Sequence, residues 1–291
     1  MLVISFEKNR FLGGYGDRIV GLIAVQTLSK MLNKEFRIQW EKENIRPFFE
    51  YTAYEEGPQS VVIDSLDNQT LCKQMLMTQD TLFQDPITKF ILNQEIAQYR
   101  FKDADAYFNA IFATYRALYT ETLRPTPLLL DKVDQCIAGH QTIIGIQIRC
   151  GDCFMATNKG EWYNTGARDH IHTYLTQIKA AVDSRYPHYA VFVTSDYTGI
   201  LEESRLVFNN VLYIDDVIQH IDRRPVNADI SKVFVDNYIL SQRTTELYIS
   251  ANSNYGRVAA LSAVHGRIYD VATALRLDKR RLLSKGECIF A

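Results

Sequence analysis

The chain opens on an apolar run at residues 2–6, the length of one strand. A loop ending in Gly13-Gly14-Tyr15-Gly16-Asp17-Arg18 follows, and then residues 19–32 carry a helical pattern. Ala24, Leu28 and Leu32 recur every fourth residue there, the interval an interior-facing helix needs. Residues 35–40 read as a second strand, which completes a strand-loop-helix-strand unit with a right-handed crossover and parallel strands. Between 41 and 141 the pattern is less regular. Helices are predicted over 106–119 and 127–138, and no strand order can be read. Arg124-Pro125-Thr126-Pro127 breaks helix on both sides and leaves Pro127 near an allowed first-turn position, which places a linker or domain boundary within 124–141.

After Gly139 the alternation sharpens. The spacing predicts strands at 142–149, 190–194, 211–214 and 246–249. Helices are predicted at 169–184, near Ile200, at 230–242 and from about Tyr255. Strands alternating with helices in this way form a doubly wound parallel sheet, and such sheets bind ligands beyond the carboxyl ends of their strands. No internal repeat or low-complexity segment interrupts the pattern.

Composition narrows the functional classes. With 291 residues the chain has room for one large domain or two of roughly 150 residues. A formal charge of −2 lacks the basic excess that nucleic-acid backbones require. The first residues meet a charge at Glu7 without a basic leader, so they read as a core strand and not a signal peptide. No segment approaches the length of a membrane span. Five scattered cysteines fit a reducing compartment better than a disulfide framework, which points to the cytoplasm.

The strand at 142–149 delivers Arg149, Cys150, Gly151, Asp152 and Cys153 to its carboxyl end. A guanidinium there can make paired, charge-assisted hydrogen bonds to a diphosphate and stays ionised at any working pH. The competing reading is a salt bridge to a neighbouring carboxylate such as Asp152. Ile144-Gly145-Ile146-Gln147-Ile148-Arg149-Cys150-Gly151-Asp152 resembles the HxRRGD motif of the α1,2-, α1,6- and protein O-fucosyltransferase superfamily. Gly13-Gly14-Tyr15-Gly16-Asp17-Arg18 is similar to that superfamily's GGLGNRL opening. Val191-Phe192-Val193-Thr194-Ser195-Asp196 resembles its second block, and residues 236–261, through Ser253-Asn254-Tyr255-Gly256-Arg257, its third. Order and spacing match across residues 13–261. Two positions depart: Gln147 stands where the family usually has His, and Cys150 where it often has a second Arg.

The resemblance implies an α/β protein of the GT-B class, two Rossmann-like domains facing across a cleft. Residues 1–140 would form the acceptor-side domain and 141–291 the donor domain, with a terminal segment packing back on the first. It further implies inverting, metal-independent glycosyl transfer from a nucleotide sugar to a glycan acceptor, GDP-fucose first and a UDP-sugar such as UDP-xylose second. Arg149 and the amides of Ser253 to Gly256 would stabilise charge on the leaving phosphate. Gly13, Gly14, Gly16, Arg18, Gln147, Ser195, Asp196, Ser253, Asn254, Tyr255, Gly256 and Arg257 would form the donor site. Asp152, Glu161 and Asp17 are candidates for the general base, each also readable as a capping or salt-bridging residue.

The remaining motifs are weaker. Gly13, Gly14 and Gly16 lack the dinucleotide GxGxxG spacing, which argues against a Rossmann dehydrogenase. Cys150-Gly151-Asp152-Cys153 is formally a CxxC, yet no second pair completes a zinc site and no evident helix opens it. Asp103-Ala104-Asp105 precedes a helical run and reads as capping. Asp215-Asp216 follows a strand, where a base contact or solvation would both serve. The six histidines show no ligand spacing, and no Gly-x-Ser-x-Gly elbow is present. The rival functional class is a non-catalytic nucleotide- or glycan-binding protein of the same fold.

Overall fold

A computed structural model describes residues 1–7, 14–31, 33–41, 45–55, 60–63, 104–150, 170–216, 229–251, 253–277 and 282. The first sheet is built on β1 (Leu2–Ser5), which pairs in parallel with β2 (Phe36–Gln39) on one side and β4 (Val61–Ile63) on the other. Helix α1 (Tyr15–Met31) connects β1 to β2 as the period predicts, but it begins four residues before the expected Ile19. The earlier start has a local cause: Asp17 Oδ2 accepts the Gly14 amide at 3.0 Å, satisfying one of the amides exposed at the helix start.

Among the described residues the irregular middle holds, besides β4, the elements β3 (Phe49–Glu50), α2 (Ala104–Thr122), β5 (Arg124–Pro125) and α3 (Pro127–Ile137). Arg124 and Pro125, expected only as a helix breaker, pair antiparallel with Glu50 and Phe49. Thr126 then caps α3 by accepting the Leu129 amide at 3.3 Å while its own hydroxyl donates to Pro47 O at 2.5 Å. The stretch at 124–127 is thus tied to the 47–50 segment on one side and to a helix on the other.

The second sheet has five parallel strands in the order β10-β9-β6-β7-β8, with β6 (Ile143–Ile148) at its centre. Its other members are β7 (Ala190–Ser195), β8 (Val211–Leu212), β9 (Glu246–Ile249) and β10 (Ile268–Asp270). The last of these lies beyond the predicted set. Its three residues are too few to show a period, and pairing with β9 supplies what the pattern does not. Between the strands run α4 (Ile171–Asp183), α5 (Gly199–Val207), α6 (Ser231–Gln242) and α7 (Asn254–Ser262).

All six residues of β6 are buried, as a parallel strand covered on both faces requires. Ile144, Ile146 and Ile148 pack with Leu175, Ile178 and Val182 of α4 on one face. On the other, Ile143 joins a core that contains Leu240 and Phe234 of α6, Val258 of α7, and Ile19, Leu22 and Trp40 from the first sheet and its helix. Side chains from both sheets therefore share one apolar cluster. Aromatic rings meet there: Tyr15 lies 5.6 Å from Phe234 and 6.0 Å from Tyr255 between ring centroids, and its hydroxyl meets that of Tyr119 at 3.3 Å. Burial raises the Tyr15 phenol well above its ordinary range and pushes Tyr119 up to about 12. Among the described residues no helix is long and apolar enough to cross a membrane.

His265 follows α7. Its Nδ1 accepts the Arg267 amide at 3.2 Å, which leaves Nε2 to meet Thr244 Oγ1 at 3.1 Å. Burial first, then the Arg267 and Arg116 charges against an opposing pull from Glu246, lowers its pKa from 6.5 to about 4. Between those values the unfolded chain binds the proton and the folded chain does not, so stability rises with pH across that window and is flat above it. Melting temperature should accordingly fall between pH 6.5 and 4.5, and His265→Gln should flatten that slope in a pH series of thermal melts; an unchanged slope would contradict the assignment.

Candidate functional site

The carboxyl ends of β6, β7 and β9 lie side by side because the three strands are parallel and in register: Ile148 is opposite Ser195, and Gln147 opposite both Thr194 and Ile249. The residues that leave these ends are Arg149 and Cys150, Asp196, and Ser250. Asp196 holds the turn out of β6 twice over. Its Oδ1 accepts the Cys150 amide at 2.6 Å, and its Oδ2 lies 3.3 Å from Arg149 Nε. The Arg149 side chain keeps 28% of its surface in solvent while that of Asp196 keeps 7%. The salt-bridge reading of Arg149 is therefore realised, with Asp196 as the acid, at the carboxyl edge of the sheet.

Ser250 closes the other side, donating its amide to Gln147 O at 3.0 Å and accepting the Arg149 amide on Oγ at 3.0 Å. Sequence reasoning passed over Ser250; its signal was its place directly after the last residue of a strand. Ser195 Oγ accepts the Tyr197 amide at 3.2 Å and lies 3.9 Å from Cys150 Sγ. Cys150 itself is buried among the apolar residues below the sheet.

Helix α7 starts beside this edge. Ser253 is its cap, accepting the Gly256 amide at 3.4 Å and the Gln147 Nε2 amide at 3.3 Å. Gln147 is 3% exposed, and its Oε1 has no hydrogen-bond partner among the described residues. That oxygen lies where a side chain on residue 256 would begin, so any residue larger than glycine there would have to displace the Gln147 amide. Asn254 Oδ1 accepts Arg257 Nη1 at 2.8 Å, and Asn254 Nδ2 donates to Asp17 Oδ1.

The glycine turn meets the same helix end. A Cβ on Gly16 would lie 2.5 Å from Tyr255 N and 2.6 Å from Asn254 O, so the backbones of α1 and α7 touch at their first turns. Two positive helix ends thus face one another, with the Asp17 carboxylate between them.

Three other predicted residues point elsewhere. Arg18 is buried, its guanidinium 5.5 Å from the Phe6 ring centroid and 5.8 Å from that of Trp40. Tyr255 donates to Val233 O at 2.8 Å within the aromatic core. Arg257 is also buried and donates from Nε and Nη2 to Leu282 O at 3.0 and 2.8 Å. Gly13, Asp152, Glu161 and Cys153 lie outside the described residues, as does Asp103 of the Asp103-Ala104-Asp105 stretch. Asp215 and Asp216 are exposed after β8.

A polar cluster that the sequence did not single out sits behind Thr194. Lys232 and Asp236, one helical turn apart on α6, pair at 2.9 Å with both side chains at least nine-tenths buried. Thr194 Oγ1 donates to Asp236 Oδ2 at 2.7 Å, and Lys232 Nζ donates to Ile214 O at 3.0 Å. Asp236 Oδ1 has no partner among the described residues. Burial raises the Asp236 carboxyl against the pull of Lys232 and Thr194.

A parallel sheet whose carboxyl edge carries an arginine, beside a helix N-terminus and a glycine turn, is the arrangement with which α/β proteins receive phosphorylated ligands. No family model matches the chain, and no curated protein matches it by sequence. Solved structures do. The NodZ α-1,6-fucosyltransferase soaked with GDP-fucose superposes with a TM-score of 0.54 at 18% identity, over 94% of this chain and 96% of its own. The fucosyltransferase NodZ from Bradyrhizobium gives 0.52 at 17% identity, over 92% and 94%. A variant of Arabidopsis thaliana FUT1 in complex with GDP gives 0.53 at 14% identity, over 92% of this chain and 69% of its own. The chain has the α/β fold of these fucosyltransferases.

The touching backbones at Gly16 make a direct test. Gly16→Ala should cost roughly 2–4 kcal/mol, because backbone and not a mobile side chain must move. Gly21→Ala on the same helix, where the new methyl meets only Ile4 Cδ1 at 3.7 Å, should be neutral or stabilising by roughly 0.5–1 kcal/mol. Chemical denaturation of both variants checks the contrast, and equal effects would dispose of it.

Proposed function

We propose that this protein is an inverting glycosyltransferase of the GT-B arrangement, moving a sugar from a nucleotide-sugar donor to a glycan acceptor without a metal ion. Residues 1–140 make the acceptor side and 141–291 the donor side. GDP-fucose is the first donor to test and UDP-xylose the second. One observation carries the reading: Arg149, Gln147, Ser250 and the N-terminus of α7 gather at the carboxyl edge of a central parallel strand, against the glycine turn of α1. The shared fold with proteins solved with GDP or GDP-fucose supports it.

In this chemistry an acceptor oxygen attacks the anomeric carbon and the bond to the β-phosphate oxygen breaks with its electron pair. Negative charge therefore grows on the diphosphate, where a guanidinium and helix amides stabilise it more than they stabilise the bound donor. Asp196 orients Arg149 by holding Nε at 3.3 Å. The acceptor's proton passes to a carboxylate. Asp17 is poorly suited, since both its oxygens already accept hydrogen bonds, and the role falls to Asp152 or Glu161.

The second reading, a binding protein without turnover, is favoured by Gln147 and Cys150, which are both buried and occupy the positions of the family's His and second Arg. Release of free nucleotide from a panel of GDP- and UDP-sugars separates the two, because a binder releases none. For the transferase, Arg149→Ala should lower turnover by roughly a hundredfold or more and weaken donor binding, with the fold intact by circular dichroism. Wild-type activity in that variant would overturn the site assignment.

A further inference from the structure

The carboxylate of Asp17 is placed where a ligand anion gains most. Two helices begin within van der Waals contact of one another, α1 at Tyr15 and α7 at Asn254, so their unsatisfied amides and aligned dipoles build one positive region. Like helix ends repel, and this contact needs a negative charge to hold it. Asp17 supplies one: Oδ2 accepts the Gly14 amide at 3.0 Å and Oδ1 accepts Asn254 Nδ2 across the contact. Asn254 passes the connection to Arg257, whose guanidinium is fixed on Leu282 O. A second, independent feature points to a ligand at the same helix end: Gln147, 3% exposed, sets against the Gly256 turn an Oε1 that has no partner among the described residues.

We propose that Asp17 is a built-in counter-anion, a positioning residue that braces the two helix ends and at the same time weakens the site's hold on a nucleoside diphosphate. The inference rests on the donor-site reading above and adds a sign to it. A general base at this position would make Asp17→Asn a turnover defect with donor affinity unchanged. A purely structural brace would make it bind GDP equally or more weakly. A counter-anion does the reverse, since removing one negative charge close to a diphosphate strengthens binding.

The experiment is calorimetric titration of GDP and of inorganic pyrophosphate into wild-type protein, Asp17→Asn and Asn254→Asp, with thermal melts of each without ligand. Asp17→Asn should melt lower than wild type and bind both ligands roughly tenfold tighter, by an amount that shrinks as salt is raised. Asn254→Asp, which sets a second carboxylate against the first, should bind both more weakly. Should Asp17→Asn fail to fold, Asp17→Ser carries the same change of charge and the same expectation. If wild type binds GDP and neither neutral variant binds it more tightly, the counter-anion inference is wrong and the donor site stands. If wild type binds neither GDP nor pyrophosphate, the donor-site reading fails and this one with it.

Discussion

The contact between Gly16 and the first turn of α7 is the constraint on which the rest of the arrangement depends. It brings backbone against backbone at 2.5–2.6 Å from where a Cβ would stand, closer than any pair of side-chain-bearing residues permits. It also fixes which ends of the two helices meet. Because α1 leaves β1 of the three-stranded sheet and α7 follows β9 of the five-stranded sheet, one residue without a side chain registers the two sheets against each other. The surrounding aromatic packing of Tyr15, Phe234 and Tyr255 makes that registration stiff, since large rings in a shared core resist sliding.

That packing accounts for charged side chains that turn inward instead of toward the carboxyl edge of the second sheet. Arg18 and Arg257 each bring a guanidinium into the interior, a placement that is costly unless the group finds acceptors or ring faces. Arg18 finds Phe6 and Trp40, while Arg257 finds a backbone carbonyl and an amide oxygen, with burial lowering its pKa. Arg149 differs in kind, for its charge is balanced by Asp196 and a quarter of its side chain still meets solvent. An ion pair of this kind does not by itself exclude phosphate binding, since a guanidinium carries five N–H donors in a fixed fork.

Much of this was legible in the sequence, and the reasons are specific. The apolar spacing of four residues over 19–32 announced α1, and the alternation of strands with helices after Gly139 announced the strand at 142–149 as part of a parallel sheet. The start of α1 was not legible, because Tyr15-Gly16-Asp17 reads as a loop until Asp17 is seen capping Gly14. Arg124-Pro125 looked like a breaker because local propensity cannot report a partner, here Phe49 and Glu50, about 75 residues away along the chain. At the site, position at a strand end singled out Arg149 and the motif resemblance singled out Gln147 and Asp196, but neither told which acid would hold the arginine. Asp152 was the sequence neighbour, whereas in-register pairing of β6 with β7 put Asp196 in reach. The Lys232 and Asp236 pair went unseen because a charged pair at helical spacing ordinarily marks a solvated face, and here it is buried.

Gln147 and Cys150, the two departures from the fucosyltransferase motif, turn out to be accommodated by packing in different ways. Cys150 has joined the apolar cluster beneath the sheet, with its amide held by Asp196 and its Sγ beside Ser195 Oγ. A second arginine at that position would have to leave that cluster or bury another charge, so its absence is coupled to the local backbone. Gln147 remains at the edge, tied to the α7 cap through Nε2, with an acceptor oxygen that nothing among the described residues uses. A histidine ring presents two nitrogens in a fixed plane, whereas an amide presents a donor and an acceptor on one short lever. Gln147 therefore keeps a connection between β6 and α7 while standing as a neutral donor and acceptor where the motif has a titrating group.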